Sequence, residues 1–389
     1  MLEKMFKLKE NNTSFRTEVV AGLTTFMAMA YILAVNPNIL SATGMNPDAI
    51  LLATALASFV GCMAMALLAN YPFALAPGMG LNAYMAFTVC GNMGYSWQIA
   101  LLAVFVEGLI FIVLSLTNVR EAIFNAIPMA LKKGVSAGIG LFIAFIGLQG
   151  ANLVVNDDST LLTYVKFVGD FHTIGIGALL ALIGLFIIVV LHHKNIKGSI
   201  LIGILATWIL GMICEAIGLY VPDGKEFYSL YPSFRMIDFG AFGTTFGQCF
   251  NVDFSGVDIL NFIAVLFAFL FVDIFDTLGT LIGVSTKANM LDEEGKLPRI
   301  RPALLADAIA TSVGAIFGTS TTTTYVESSA GVAAGGRTGL SAMVTGLLFL
   351  LAIVFAPIFT AIPSFATAPA LIFVGFLMIS SIISIDFED

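Results

Sequence analysis

Apolar residues along this chain gather into blocks of about twenty, the length a helix needs to cross the hydrocarbon core of a bilayer, with short polar stretches between them. The blocks centre on residues 17–37, 49–69, 98–116, 133–151, 173–191, 199–220, 259–283, 302–318, 339–360 and 366–385. Two further segments, 73–91 and 321–337, are apolar overall yet broken inside. Counting each broken segment as one crossing, the pattern predicts an all-α polytopic membrane protein of twelve spans, the third and tenth containing short extended stretches.

The two interruptions differ in chemistry. Residues 73–84 (FALAPGMGLNAY) put Pro77, Gly78 and Gly80 where a span should be most regular, with Asn82 as the polar residue. Residues 317–339 (FGTSTTTTYVESSAGVAAGGRTG) put four threonines, 321–324, and the carboxylate Glu327 at the same depth. Unpaired polar groups facing lipid cost several kcal/mol each, so such backbone survives only where protein or a water-filled cavity satisfies it. The β-branched threonines favour extended structure, and the two stretches could pair with each other. Helices restarting after Pro77, and after Thr324 and Tyr325, would offer first-turn N–H groups to acceptor atoms of a ligand. Paired interruptions of this kind point to a transporter's binding site.

Their positions also suggest a repeat. Seven spans precede a polar and aromatic connection, 221–258, expected to be extracellular, and the second half begins near Ile259. Each half is interrupted at its third span, and an odd number of spans in the first half makes the repeat inverted. The second half has five spans before Asp389, as expected for a fourteen-span protein that lacks, or is cut before, its last two helices.

Composition agrees with the class: 59% hydrophobic residues, 11% charged and a mean hydropathy of +0.98. With the N-terminus in the cytoplasm, the cytoplasmic segments receive all of the 17 Lys and Arg residues except Lys166, Lys225 and Arg235, as the positive-inside rule requires. Residues 1–9 are too charged for a cleaved signal peptide. The net charge of −8 resides largely in loop acids, and no basic stripe supports nucleic-acid binding. Cys62, Cys90, Cys214 and Cys249 are scattered without CxxC spacing, and His172, His192 and His193 lie at span edges, so neither a disulfide nor a metal centre is expected.

Intramembrane carboxylates are expensive and tend to mark a pathway or ligand site. Asp273 and Asp276 are three residues apart in span eight, hence on one helical face, where both could look into one cavity. Asp307 is read at the start of the next span, twenty residues before Glu327. Glu107 reads as a helix-packing carboxyl and Glu215 as a hydrated group near the outer surface. Carboxyl groups in a low-dielectric cavity can hydrogen-bond the N–H edges of a planar heterocycle and link proton uptake to binding. The candidate substrate-binding residues are therefore Asp276, Glu327, Asn82, Gly80, Thr324 and Tyr325. The proton-coupling candidates are Asp276, Glu327, Asp273 and Asp307. H+ is favoured over Na+, and no cofactor is expected.

Two rival classes are weaker. An intramembrane aspartyl protease needs facing aspartates, and Asp273 with Asp276 on one turn cannot straddle a peptide. An anion transporter of similar inverted-repeat architecture is the stronger rival, but it would want a cationic or neutral site at the broken spans.

The stretches 24–32 (TTFMAMAYI) with Asn36 and Pro37, 76–83 (APGMGLNA), 276–280 (DTLGT) and 318–331 (GTSTTTTYVESSAG) resemble the AzgA-like purine permeases, within the nucleobase–cation symporter family that also contains uracil and xanthine permeases. The resemblance covers essentially the whole chain. It implies a 7+7 inverted-repeat, uracil-permease-like fold with a core domain (1–118 and 259–360) and a gate domain (119–220 and 361–389) joined by the connection 221–258. It implies elevator-type import of adenine, guanine or hypoxanthine with protons across the plasma membrane, with no enzymatic activity. By motif, Glu327 and Asp276 match the family's substrate-binding carboxylates, Asp273 a neighbouring essential position, and Gly80 and Asn82 the third-span site. The implied partners are a purine nucleobase and the lipid bilayer, and a homodimer is allowed. A xanthine or uracil permease is the nearest alternative.

Overall fold

The computed structural model describes residues 2–384 apart from 118, 120–127, 158–159, 166, 168–169, 223–228, 233–236, 256, 289 and 293–296. The chain divides into two compact units, Met1–Lys132 with Ile237–Ala356, and Lys133–Met236 with Pro357–Asp389. Residues 237–258, read from sequence as part of one long connection, thus pack with the first unit.

In the first unit several helices start where a side chain can satisfy the orphan N–H groups of a first turn. Ser14 caps α1 (Phe15–Met29), which is followed by α2 (Ile32–Leu40). Asn46, with Pro47 in the first turn, caps α3 (Pro47–Ala64). α3 widens into a π-helical turn, Met65–Ala69, that ends at Asn70 in the left-handed region.

The chain then turns extended as β1 (Leu75–Pro77) and re-enters a helix as α4 (Met79–Ala83). Ser96 caps α5 (Trp97–Leu116).

The second unit is helical apart from one hairpin. It contains α6 (Met129–Gly150), whose first residues lie in the first unit, the antiparallel strands β2 (Val154–Asp157) and β3 (Leu161–Tyr164), α7 (Ile176–His193) and α8 (Ser199–Ala216). Its last long helix is α13 (Ser364–Ile379). Small residues let these helices approach closely. A Cβ on Gly184 would meet Thr207, and one on Gly375 would collide with the Gly140 carbonyl oxygen.

The first unit resumes with α9 (Ile259–Lys287), capped by Asp258, and α10 (Ile300–Phe317). Gly318 ends α10 at φ +100°, a conformation that L side chains rarely adopt, and a Cβ there would also meet Thr245. Next come β4 (Thr322–Thr324), α11 (Ser328–Ala333) and α12 (Gly339–Ala352), the last capped by Thr338.

β1 and β4 pair antiparallel, with Leu75 opposite Thr324, Ala76 opposite Thr323 and Pro77 opposite Thr322. The Gly78 N–H donates to Thr321 O (2.9 Å) and the Tyr325 N–H to Ala74 O (3.0 Å), extending the ribbon at both ends. Extended backbone in an apolar environment is thereby satisfied without lipid contact.

Among the described residues eight helices are long and apolar enough to cross a membrane. The twelve-crossing reading needs, besides these, the shorter apolar helices 134–150 and Ser364–Ile379 and the two segments that are each split into a strand and a short helix.

Candidate functional site

Residues 319–324 are almost wholly buried, although every one is Ser or Thr. That is tolerable only where hydroxyls and backbone find partners. Thr321 Oγ1 donates to Glu107 Oε2 (2.9 Å), Thr311 Oγ1 to Thr322 O (3.1 Å), and Asn36 Nδ2 to Thr319 Oγ1 (3.0 Å). On the β1 side the Leu75 N–H points at Cys62 Sγ (3.3 Å), and Ser328 Oγ accepts from the Ala74 N–H (3.0 Å). Glu107, read from sequence as a helix-packing group, is an acceptor for the threonine-rich segment.

Around this ribbon stand two half-buried carboxylates from different helices. Asp276, on α9, accepts through Oδ2 from Thr323 Oγ1 (3.1 Å). A Cβ on Gly78 would lie 2.9 Å from Thr323 Cγ2 and 3.5 Å from Asp276 Oδ2, so the bare glycine lets these three residues meet. Glu327, immediately before α11, accepts through Oε1 from the Tyr31 hydroxyl (2.7 Å). One oxygen of each carboxylate is thus engaged by a neighbouring hydroxyl.

The other candidate residues occupy distinct places. Tyr325 uses its hydroxyl to donate to Pro77 O (2.6 Å), locking the ribbon. Asn82 is fully buried on α4; its Oδ1 accepts from Ser320 Oγ, while its Nδ2 has no hydrogen-bond partner among the described residues. Gly80 lies on the same short helix. The Thr324 backbone lies in the ribbon opposite Leu75, and its buried Oγ1 has no hydrogen-bond partner among the described residues.

Three expectations change. Asp273 and Asp276 do not share a hydrogen-bond partner: Asp273 Oδ1 takes Thr277 Oγ1 at 2.9 Å, and the same hydroxyl lies 3.0 and 3.1 Å from the two Asp307 oxygens. The reason is angular, since a three-residue step leaves side chains far enough apart around the helix to choose different neighbours. Asp307 sits two turns inside α10 rather than at its start, because the helix begins at Ile300 through the charged Arg301. Glu215 is not merely hydrated; it accepts from Ser229 Oγ (2.7 Å) and the Leu230 N–H (2.8 Å), fastening the following loop.

The amides expected to be open are partly used. Gly78 N–H is in the ribbon, and the Ser328 and Ser329 N–H groups donate to Tyr325 O (3.1 Å) and Val326 O (3.0 Å). Sequence reasoning did not single out Tyr31, and it noted Gly78 and Thr323 only as parts of the two interruptions, without a role beside Asp276. The only signal for Tyr31 was a hydroxyl-tipped aromatic in an otherwise apolar block.

A ribbon buried among helices, with unpaired polar atoms and carboxylates around it, marks a multi-pass membrane protein with an internal polar site. Residues 16–389 match the Permease family model Xan_ur_permease. The guanine/hypoxanthine permease PbuO of Bacillus subtilis is 46% identical over 393 residues, spanning 99% of this chain and 86% of that protein. The adenine permease AdeP of Escherichia coli is 42% identical over 389 residues, spanning 100% and 82%.

Among solved structures, the transmembrane domain of the cyanobacterial bicarbonate transporter BicA aligns with a TM-score of 0.67 over 94% of this chain and 88% of that one. At 18% identity this is a likeness of fold alone. The chain belongs to the Xan_ur_permease family, and the resemblance to AzgA-like purine permeases seen in its motifs holds.

Proposed function

We propose that this protein imports purine nucleobases (guanine and hypoxanthine, or adenine) together with protons, as a multi-pass carrier of the plasma membrane with its N-terminus in the cytoplasm. The observation that carries this reading is the pair Asp276 and Glu327, brought from two helices to one two-stranded ribbon and each engaged by a single hydroxyl. An ionised carboxylate has about four acceptor sites, so each retains capacity for the ring N–H or amino groups of a purine. Asn82 Nδ2 and Thr324 Oγ1, buried without partners, supply further polar atoms for ring nitrogens or a carbonyl. The names of relatives such as PbuO and AdeP support the same substrate class.

Proton coupling draws on a second cluster. One Thr277 hydroxyl faces three carboxylate oxygens of the fully buried Asp273 and Asp307 within 3.1 Å. Two buried carboxyl groups that meet at one hydroxyl form a site where the carrier can load and unload a proton. In this reading the chain contributes twelve spans of a 7+7 inverted repeat, the ribbon-bearing unit acting as the core that slides past a gate, with a homodimer allowed.

The carboxylates disfavour an anion as substrate, since a bicarbonate or sulfate would meet like charge. Uptake of radiolabelled guanine, hypoxanthine and adenine into cells or vesicles, with and without an inward proton gradient, tests the proposal. Uptake should rise with the gradient and fall about ten- to a hundredfold in Glu327→Gln and in Asp276→Asn, the worth of a hydrogen bond to a charged group. Normal uptake and unchanged gradient dependence in both variants would refute it, as would transport of bicarbonate or sulfate in place of purines.

A further inference from the structure

The end of the first unit that carries the N-terminal segment contains a second polar site, built from residues outside the ribbon. A cleft of about 250 Å³ is lined by Asn11, Tyr71, Met290, Pro298, Arg299 and Arg337, among others. Its frame is firmly held. Phe6 and Leu8 are buried against Ala66 and Leu340, and Asn70 ties the pieces together by donating to Phe6 O (3.1 Å) and accepting from the Gly339 N–H (2.7 Å).

Both arginines are positioned by contacts that leave part of each guanidinium available. The Arg299 guanidinium carbon lies 4.4 Å from the centre of the Tyr71 ring, and the Arg299 backbone N–H donates to the Tyr71 hydroxyl (3.2 Å). Arg337 places Nη1 on Val332 O (2.8 Å) and Gly336 O (2.7 Å), at the C-terminal end of α11. A purely structural role would account for these contacts, as a stacked side chain and a helix cap. It does not explain why two guanidinium groups from different segments line one cleft.

Glu18 takes the Arg337 and Thr338 backbone N–H groups and the Ser341 hydroxyl. Among the described residues the ion pairs are Lys7 with Glu10 and Lys9 with Glu3, and neither involves these arginines. Tyr71 is only 2% exposed, and its hydroxyl, which accepts from Arg299, donates to no described residue. It is therefore a buried O–H donor on the wall of a doubly cationic cleft.

We propose that this cleft binds a phosphate group. Planar guanidinium forks match the oxygens of phosphate and bind them bidentately, and the Tyr71 hydroxyl completes a set of donors without an acceptor of its own. The same chemistry is presented by the headgroup of an anionic phospholipid, for which basic pockets at helix ends are a recurring receptor, and by free phosphate.

The test is thermal unfolding of the purified full chain. One arm compares inorganic phosphate with chloride at equal ionic strength; the other compares nanodiscs of phosphatidylcholine with nanodiscs containing phosphatidylglycerol. Phosphate stabilises proteins generally by exclusion, so each arm is read as the difference between wild type and Arg299→Gln. The wild type should gain several degrees over the variant in at least one arm, with apparent affinity about tenfold weaker in Arg299→Gln. Arg299→Lys should recover only part of the gain, because it restores charge without the fork.

A gain in the first arm alone identifies free phosphate, in the second alone a lipid headgroup, and in both the shared group. Equal behaviour of wild type and Arg299→Gln in both arms overturns the proposal. Arg337→Gln provides an independent second variant with the same expected loss.

Discussion

The two interrupted segments solve the same problem with opposite chemistry. Both must carry extended backbone through a buried environment, and they do so by pairing, with Leu75, Ala76 and Pro77 opposite Thr324, Thr323 and Thr322. The strand of the first contributes little beyond backbone: its residues are apolar, Pro77 has no N–H to satisfy, and Gly78, just beyond it, has no side chain. The second carries the polar load, with hydroxyls reaching Glu107 and Asp276 and Glu327 just beyond the strand. One strand is a platform and the other an array of functional groups. The same asymmetry recurs at larger scale, since the fully buried acids Glu18, Glu107, Asp273 and Asp307 all lie in the first unit, while among the described residues the buried polar side chains of the second are hydroxyl-bearing, such as Thr207 and Thr367.

Substitutions that exchange the two characters should have graded effects. The largest is expected at Gly78. In Gly78→Val the new Cβ falls 2.9 Å from Thr323 Cγ2, so the ribbon must open or Thr323 must leave Asp276. Overpacking of this kind costs about 1–3 kcal/mol, and thermal unfolding should show the loss together with failed uptake.

Next is Thr321→Val, which removes the donor to Glu107 Oε2. Leaving a buried acceptor short of a partner costs about 1–3 kcal/mol, measurable as a lower unfolding midpoint. The smallest stability effect belongs to Thr324→Val. Its Oγ1 is buried without a partner, so a nearly isosteric methyl should leave the midpoint unchanged or slightly raised while weakening purine binding, if the hydroxyl serves the ligand as proposed. A fall in midpoint comparable to that of Thr321→Val would show the platform-and-array contrast to be wrongly drawn.

Much of this arrangement was legible in the residues. Block length revealed the helices, because burial in lipid demands runs of uniform apolarity. The interruptions stood out because four threonines and a carboxylate are costly at that depth, and Asp276 and Glu327 followed from the same penalty. What stayed hidden depends on rotations around helix axes. Spacing could not tell that Asp273 turns to Thr277 and Asp307 while Asp276 turns to Thr323. Nor could it show Tyr31 reaching Glu327, a contact across 296 positions of sequence. The start of α10 was misplaced because Arg301 resembles a loop residue, although it lies in the first turn of the helix.

The central claim is that Asp276 and Glu327 together hold the substrate, and calorimetric titration of the purified protein with guanine, hypoxanthine and adenine tests it most directly. The account predicts saturable binding of at least one purine by the wild type, weakened about tenfold or more in Asp276→Asn and in Glu327→Gln, with both variants folded. Wild-type affinity in either folded variant would contradict it.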